Sequence, residues 1–354
     1  KVEYSGSVTR KIVGLQPRMM SMDEWTDGVL QARLNDGYGE DDNWVRYARL
    51  AKAMKGSWIN LHGGNNPDED PIPGGFRGVA DFVFHDMNWT DVLWGNATST
   101  QHNLSVSGGS EKSTYRLSLG YLNDQGTLQW GNNSNERYNV RLFNSFKINN
   151  RISLETNMSA SRQHQVAPTQ IGSILGSSIP QPGLPVSTID GKPYAWGGIH
   201  TPNWSAELGG DNKLKVSAIN ISETFRYSIL KDLTASVTAG YNTSTAIRDK
   251  QSKAIDWYNY AGTKKVMTNP QQEESNYIKS NSQTDLYTLN AYANWSQTFA
   301  DKHDIAVMLG TQYSFKEYDY TTTKAKNILP SLDIINGIGE VTLVNDNNKG
   351  PEKW

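Results

Sequence analysis

Leu233-Thr234-Ala235-Ser236-Val237-Thr238-Ala239-Gly240-Tyr241-Asn242 is the stretch whose reading decides the fold. Leu233, Ala235, Val237, Ala239 and Tyr241 share one face, and Thr234, Ser236, Thr238, Gly240 and Asn242 share the other. A two-residue period means a strand with one apolar and one polar side. The same rhythm runs through 284–299, where Tyr287, Leu289, Ala291, Ala293, Trp295 and Phe299 oppose Thr288, Asn290, Asn294 and Ser296. It returns in 302–318, with Ile305, Val307, Leu309, Thr311, Tyr313 and Phe315 against Met308, Gly310, Gln312 and Ser314.

Earlier segments repeat it: Tyr115, Leu117, Leu119 and Tyr121; Tyr138, Val140, Leu142, Phe146 and Ile148; Ile152, Leu154, Met158 and Ala160. In 213–229 the apolar residues change parity between Ala218 and Ile219, which predicts a β-bulge. About nine strands result: 1–12, 99–109, 112–123, 136–148, 151–163, 213–229, 232–246, 284–299 and 302–318. The tail from Asn345 to Trp354 reads as loop.

The connections discriminate between all-β architectures. Tight turns at Gly108–Ser113, Asn149–Asn150, Lys231–Asp232 and Asp301–Lys302 alternate with long polar excursions over 124–135, 165–212 and 247–283. A soluble sandwich has no reason to keep that rule. An antiparallel transmembrane β-barrel does, with short periplasmic turns and long extracellular loops. Tyr121, Tyr138, Phe146, Tyr241, Trp295, Phe299, Tyr313 and Phe315 fall toward strand ends on the apolar face, as an interfacial aromatic girdle requires.

Segment 13–98 differs and reads as a helical insertion between the first and second strands, outside the membrane band. Ser21 and Glu24 have capping-box spacing and open one helix; Asn43 to Lys55 forms a second, ended by Gly56. The stretch 65–78, rich in Pro and Gly, reads as loop.

Composition fits. The 354 residues carry 31 Gly, 17 Tyr, 11 Trp, no Cys and a net charge of −2. Near-neutrality argues against a protein built mainly for nucleic acid, and the lack of Cys removes thiol catalysis, disulfides and Cys-based zinc sites. No stretch approaches the ~20 apolar residues of a membrane helix. A mean hydropathy of −0.62 still suits a barrel, which is apolar on one face only. Lys1 is not an initiator methionine, so the start reads as a processed end or an internal cut.

Asn88-Trp89-Thr90-Asp91 and Gln101-His102-Asn103-Leu104-Ser105-Val106-Ser107-Gly108-Gly109-Ser110-Glu111-Lys112 resemble a signature of the SusC/RagA family of TonB-dependent outer-membrane transporters. Tyr115-Arg116-Leu117-Ser118-Leu119-Gly120-Tyr121-Leu122, with Gly126, and Glu136-Arg137-Tyr138-Asn139-Val140-Arg141-Leu142 continue it. In physical terms the strongest motif is a hairpin, with Gly108-Gly109 supplying positive φ in a tight turn. The resemblance implies a barrel of about 22 strands around an N-terminal plug. It implies TonB as energy source, a SusD-like surface lipoprotein as lid, and oligosaccharide or, in some members, peptide cargo. The plug, the TonB-contacting segment and the later strands would lie beyond the ends of this sequence.

No catalytic arrangement emerges. The six His lack the spacing of a paired zinc site. Acidic clusters at Asp36, Glu40, Asp41 and Asp42 and at Asp68, Glu69 and Asp70 have the wrong spacing for a calcium loop. They read as solvated loop charge, with a looser loop-borne Ca²⁺ site as the alternative. No cofactor or metal is expected. The candidate ligand or lid contacts are the loop tryptophans Trp130, Trp196, Trp204 and Trp257, whose faces can stack on a sugar ring beside Asn and Asp. Arg116, Arg141 and Glu155 would face the lumen.

These features favour a segment of a TonB-dependent importer of nutrients, oligosaccharides foremost, embedded in outer-membrane lipid. The competing reading is a secreted or surface β-rich glycan-binding or adhesin module. It requires the apolar faces of 232–246 and 284–299 to pack on a second protein sheet. A passive porin differs from the importer in lacking a plug.

Overall fold

The computed structural model describes residues 1–14, 18–59, 82–170, 181–196, 199–263, 265–268, 275–300, 302–328 and 341–351. The alternating segments form one antiparallel meander of ten strands, each paired with its neighbour in sequence. They are β1 (Val2–Lys11), β2 (Ala97–Gly109), β3 (Ser113–Gln125), β4 (Ser134–Lys147), β5 (Ile152–Pro168), β6 (Asp211–Leu230), β7 (Leu233–Ser252), β8 (Asn276–Phe299), β9 (His303–Ala325) and β10 (Val341–Pro351). The sheet is open: β1 and β10 are its two edges.

The tenth strand corrects the expectation of nine and of a loop in the tail. Val341 pairs with Ala325 and Pro351 with Phe315. The run Asn345-Asp346-Asn347-Asn348 has turn-like composition, but the backbone ladder to β9 overrides that local preference. Several strands also outrun their sequence-derived ends. β7 continues to Ser252 and β8 starts at Asn276, so their ladder extends where both faces are polar and alternation gives no signal.

The bulge expected at Ala218 and Ile219 is absent. β6 runs in unbroken register with β5 from Asp211 to Tyr227, and its register shift with β7 lies between Ser228 and Leu230. The parity change has another cause. Ile219, Ile221, Phe225 and Tyr227 point outward with Ala160, Met158, Leu154 and Ile152 of β5. Farther along, the outward positions become Ser217, Lys215 and Lys213, and the apolar residues Val216 and Leu214 face inward. The strand leaves the lipid band without changing course.

The outward face is where the exposed apolar side chains gather. Tyr4, Leu104, Leu119, Val140, Ile219, Phe225, Val237, Leu289 and Leu309 all lie on it by register, and Leu309 is 77% exposed. Among the described residues no second sheet covers this face, which removes the observation the adhesin reading needs. Tyr138 and Phe146 bracket the apolar run of β4, and Tyr287 and Phe299 that of β8. Eight and twelve residue steps at ~3.3 Å, tilted by ~40°, span about 20 and 30 Å, on either side of the ~25 Å expected of an apolar band.

Glycine in the first hairpin acts differently from expectation. Neither Gly108 nor Gly109 has positive φ; both are extended residues of β2. A Cβ on Gly108 would stand 2.7 Å from the Tyr115 hydroxyl, and one on Gly109 2.7 Å from the Ser113 carbonyl oxygen. Close cross-strand approach of the backbone therefore disfavours a side chain at Gly109, whereas at Gly108 the Tyr115 ring would have to move. The turn is closed by Ser110, whose N–H donates to Ser113 O at 2.6 Å and whose hydroxyl accepts from Lys112 N–H at 3.3 Å. In the next short turn Asn149 Oδ1 accepts from the N–H groups of Arg151 and Ile152.

The long connections leave from one end of the sheet, and their described residues pack into a cap. The capping box at Ser21 and Glu24 forms as expected and opens α1 (Met22–Asn35). Asp42 caps α2 (Asn43–Ala53), accepting from Trp44 and Val45 N–H. Short helices α3 (Trp89–Leu93) and α4 (Pro202–Leu208) complete it. The largest fully buried side chains, among them Trp89, Trp257, Tyr47, Tyr194, Phe84 and Met22, belong to the cap. The stretch 65–78 and the acidic residues 68–70 lie outside the described residues.

Candidate functional site

Opposite the apolar band, the sheet presents a polar wall laid down in register. One row comprises Ser105, Ser118, Arg141, Ser159, Asn220 and Asn242 on β2 to β7. A second runs Thr114, Ser145, Glu155, Thr224, Thr238, Asn290 and Gln312 from β3 to β9. Neighbours cross-bond: Asn220 Nδ2 donates to Ser159 Oγ at 3.2 Å, and the Thr224 and Thr238 hydroxyls lie 2.9 Å apart. Arg226 reaches Glu155 at 3.5 Å. Arg116, Arg141 and Glu155 thus stand on the inner wall. Arg116, Arg137, Arg141, Asn103, Asn139 and Glu3 line an open trough of about 980 Å³. Such a surface offers many neutral hydrogen-bonding groups and a few fixed charges, which suits a hydrated polar solute.

The cap closes the long-loop end. Trp130 packs against Trp204 at 5.7 Å between ring centroids with the planes tilted by 56°, and each indole is anchored by its N–H: Trp130 to Val92 O at 2.7 Å, Trp204 to Val186 O at 2.8 Å. Trp196 joins Trp44, Tyr47 and Phe82, against which its ring lies at 5.7, 6.2 and 5.8 Å. Trp257 is fully buried beside His200, at 4.9 Å. The structure therefore brings Trp130 and Trp204 together, sends Trp196 to a different aromatic cluster and places Trp257 in the cap interior. Trp130, Trp196 and Trp204 keep partial exposure.

Sequence patterning missed most of the cap's other organising residues. Tyr47 is buried, its hydroxyl donating to Val83 O at 3.0 Å, and burial pushes its pKa up. Its place on the α2 face with Val45, Ala48 and Ala51 was the available signal. His85 lies 3.2 Å from the Tyr260 hydroxyl; burial lowers the pKa of His85 and of His200 and raises that of Tyr260. Lys55 binds Asp23 at 3.0 Å and Asp86 at 2.7 Å, and Asp86 also accepts the Met22 N–H at 2.8 Å. These contacts hold the Asp86 carboxyl below its usual range and Lys55 above its own.

The acidic cluster at 36–42 is occupied internally: Glu40 pairs with Arg49, and Asp42 caps α2. Among the described residues no group of three or more His, Asp or Glu could hold a metal ion.

An apolar outer band between aromatic rows, a polar inner wall and loops gathered at one end define an outer-membrane β-barrel wall. No protein-family model matches the chain. Over 137 residues, 38% of this chain and 13% of the relative, it is 29% identical to the TonB-dependent receptor SusC of Bacteroides thetaiotaomicron. Structures of the RagAB peptide importer in closed-closed and open-open states align at TM-scores of 0.67 and 0.66 and 18% identity. Each alignment covers 100% of this chain and 40% of the other. The chain is thus similar in sequence to part of SusC and in fold to part of the RagAB importer, and it spans about two fifths of the length of the RagAB chains it matches.

Proposed function

We propose that the chain supplies wall strands and an extracellular cap to a TonB-dependent importer of nutrients, with oligosaccharides as the foremost cargo and a SusD-like surface lipoprotein as lid. The observation that carries this reading is the two-sided sheet: exposed apolar residues follow the register on one face, and Asn, Ser, Thr and Arg follow it on the other. A wall of that kind separates lipid from a hydrated passage. The neutral amide and hydroxyl rows, with Trp130 and Trp204 at the mouth, match the hydrogen bonding and ring stacking that sugars require.

Peptide cargo is the second reading, favoured by Arg116, Arg137 and Arg141 on the trough and by the likeness to the RagAB peptide importer. The test is uptake by cells carrying the complete gene and its neighbouring lipoprotein gene, compared with a deletion, across matched oligosaccharide and oligopeptide panels. Loss of oligosaccharide uptake alone supports the first reading, and loss of peptide uptake alone the second. Unchanged uptake of both panels would overturn the importer itself.

A further inference from the structure

Above the upper aromatic row, the outward face changes chemistry within two residues. Tyr121 and Tyr138 pack with centroids 5.0 Å apart and planes tilted by 39°, and Arg162 is the next residue in that row, opposite Tyr138 on one side and Ser217 on the other. One step farther from the membrane, His164 stands between Glu136 and Lys215. Directly opposed side chains share a face at ~5 Å between Cβ atoms, and diagonal ones at ~7 Å. Arg162, His164 and Lys215 are therefore within reach of a single tetrahedral anion.

The surroundings fit such an occupant. Nε2 of His164 is buried with no hydrogen-bond partner among the described residues. In this row Glu136 is the one carboxylate and Lys215 the permanent cation, with Arg162 one row membrane-ward, and Lys213 beyond them lies opposite Asp249 and 3.9 Å from Asp211. Membrane-ward, Ala160 sits between Val140 and Ile219 in register, and Met158 between Leu142 and Ile221. These exposed or half-buried apolar residues lie on the lipid face directly below the cations. Basic side chains at the headgroup level attract anionic lipid at ~1 kcal/mol each.

We propose that Arg162, His164 and Lys215 bind the phosphate of an outer-leaflet glycolipid, with an acyl chain of the same molecule lying on the apolar face formed by Val140, Ala160 and Ile219. The site rests on the outer-membrane placement of the barrel and is independent of the cargo. Long loops mark its end as the outer one, where phosphorylated lipid A is the abundant anion.

The test uses the full-length protein, extracted in mild detergent, delipidated and titrated with diphosphoryl lipid A under native mass spectrometry. Enzymatically dephosphorylated lipid A, phosphatidylethanolamine and inorganic phosphate form the comparison arms. Diphosphoryl lipid A should bind best, and Arg162→Gln with Lys215→Gln should weaken it about thirty-fold, the equivalent of ~2 kcal/mol. Lys112→Gln at the opposite rim should leave it unchanged.

Equal binding of the double variant, or equal binding of dephosphorylated lipid A, would overturn the proposal. Inorganic phosphate matching lipid A would show an anion site without lipid specificity and overturn it too. If the double variant does not fold, as judged by heat-modifiable gel migration, Ser217→Glu supplies the test by placing a carboxylate beside Arg162. Undiminished lipid A binding by that variant is again refutation. A wild-type chain that never enters the membrane would instead defeat the barrel reading itself.

Discussion

Leu142→Arg should destabilise the barrel by about 2–4 kcal/mol, whereas arginine is already the native residue one position earlier. Leu142 faces outward on β4, four residues from Tyr138 and four from Phe146. Four steps at ~3.3 Å with ~40° of tilt put it about 10 Å from either aromatic row, near the middle of the band. The guanidinium cannot reach either interface fully extended without thinning the lipid, so most of the midplane cost is paid. Arg141 lies on the opposite face, in the polar row with Ser118 and Ser159. Ser222→Arg, also inward, should change stability by no more than about 1 kcal/mol. Full-length protein refolded into phospholipid vesicles and titrated with guanidinium, followed by tryptophan emission and gel migration, gives both values. A loss at Leu142 no larger than at Ser222 would refute the assignment of faces, and with it the lipid-facing band.

Gly109→Ala should cost about 1–3 kcal/mol in the same titration, because the new Cβ meets a backbone oxygen that cannot rotate away. Gly131→Ala should release the 126–133 loop from α4: Gly131 has φ +69° and a Cβ there would lie 2.4 Å from Ala206 O, so limited proteolysis should cut that loop faster. Acidification from about pH 7.5 to 5.5 should loosen the cap, because His85 and His200 have pKa values lowered by burial. Their contribution is complete above the ordinary imidazole value and falls as pH drops toward the lowered one; hydrogen exchange at Tyr194 to His200 that is flat with pH would contradict this. Asp86→Ala should expose the start of α1 to protease by removing the acceptor of Met22 N–H, at roughly 1 kcal/mol. The native carboxylate's share should vanish only as pH falls through its depressed value, below the ordinary aspartate range.

The membrane-crossing part of the fold was legible because lipid imposes a strict period on every strand it touches. Val237 must be apolar and Thr238 need not be, so alternation locates both faces within the band. Outside it the constraint lapses, which is why β6 looked bulged at Ala218 and why β10 looked like loop at Asn345. The capping box at Ser21 was legible for a local reason: four consecutive residues decide it. The cap interior was not legible, since His85 meets Tyr260 across 175 positions and no local pattern announces the meeting. The loop tryptophans could be singled out by type alone. That Trp257 would be interior and Trp130 would meet Trp204 depends on contacts among loops far apart in sequence.

The cap core has a consequence for the order in which the molecule comes together. Its clusters draw Met22 and Tyr47 from one connection, Leu128 from another, Leu184 and Ala206 from a third and Trp257 from a fourth. The first connection supplies by itself the buried members of one cluster, Met22, Tyr47, Ala51, Ile59, Phe82 and Phe84, whereas the cluster of Trp89, Leu128, Leu184 and Ala206 forms only where the adjacency of the strands brings three connections side by side. That shared cluster can therefore consolidate only once the ladder beneath it is in register. For this shared part of the cap the wall precedes the lid, and a register slip of two residues, harmless to the lipid-facing period, would be read out as a cap that never closes.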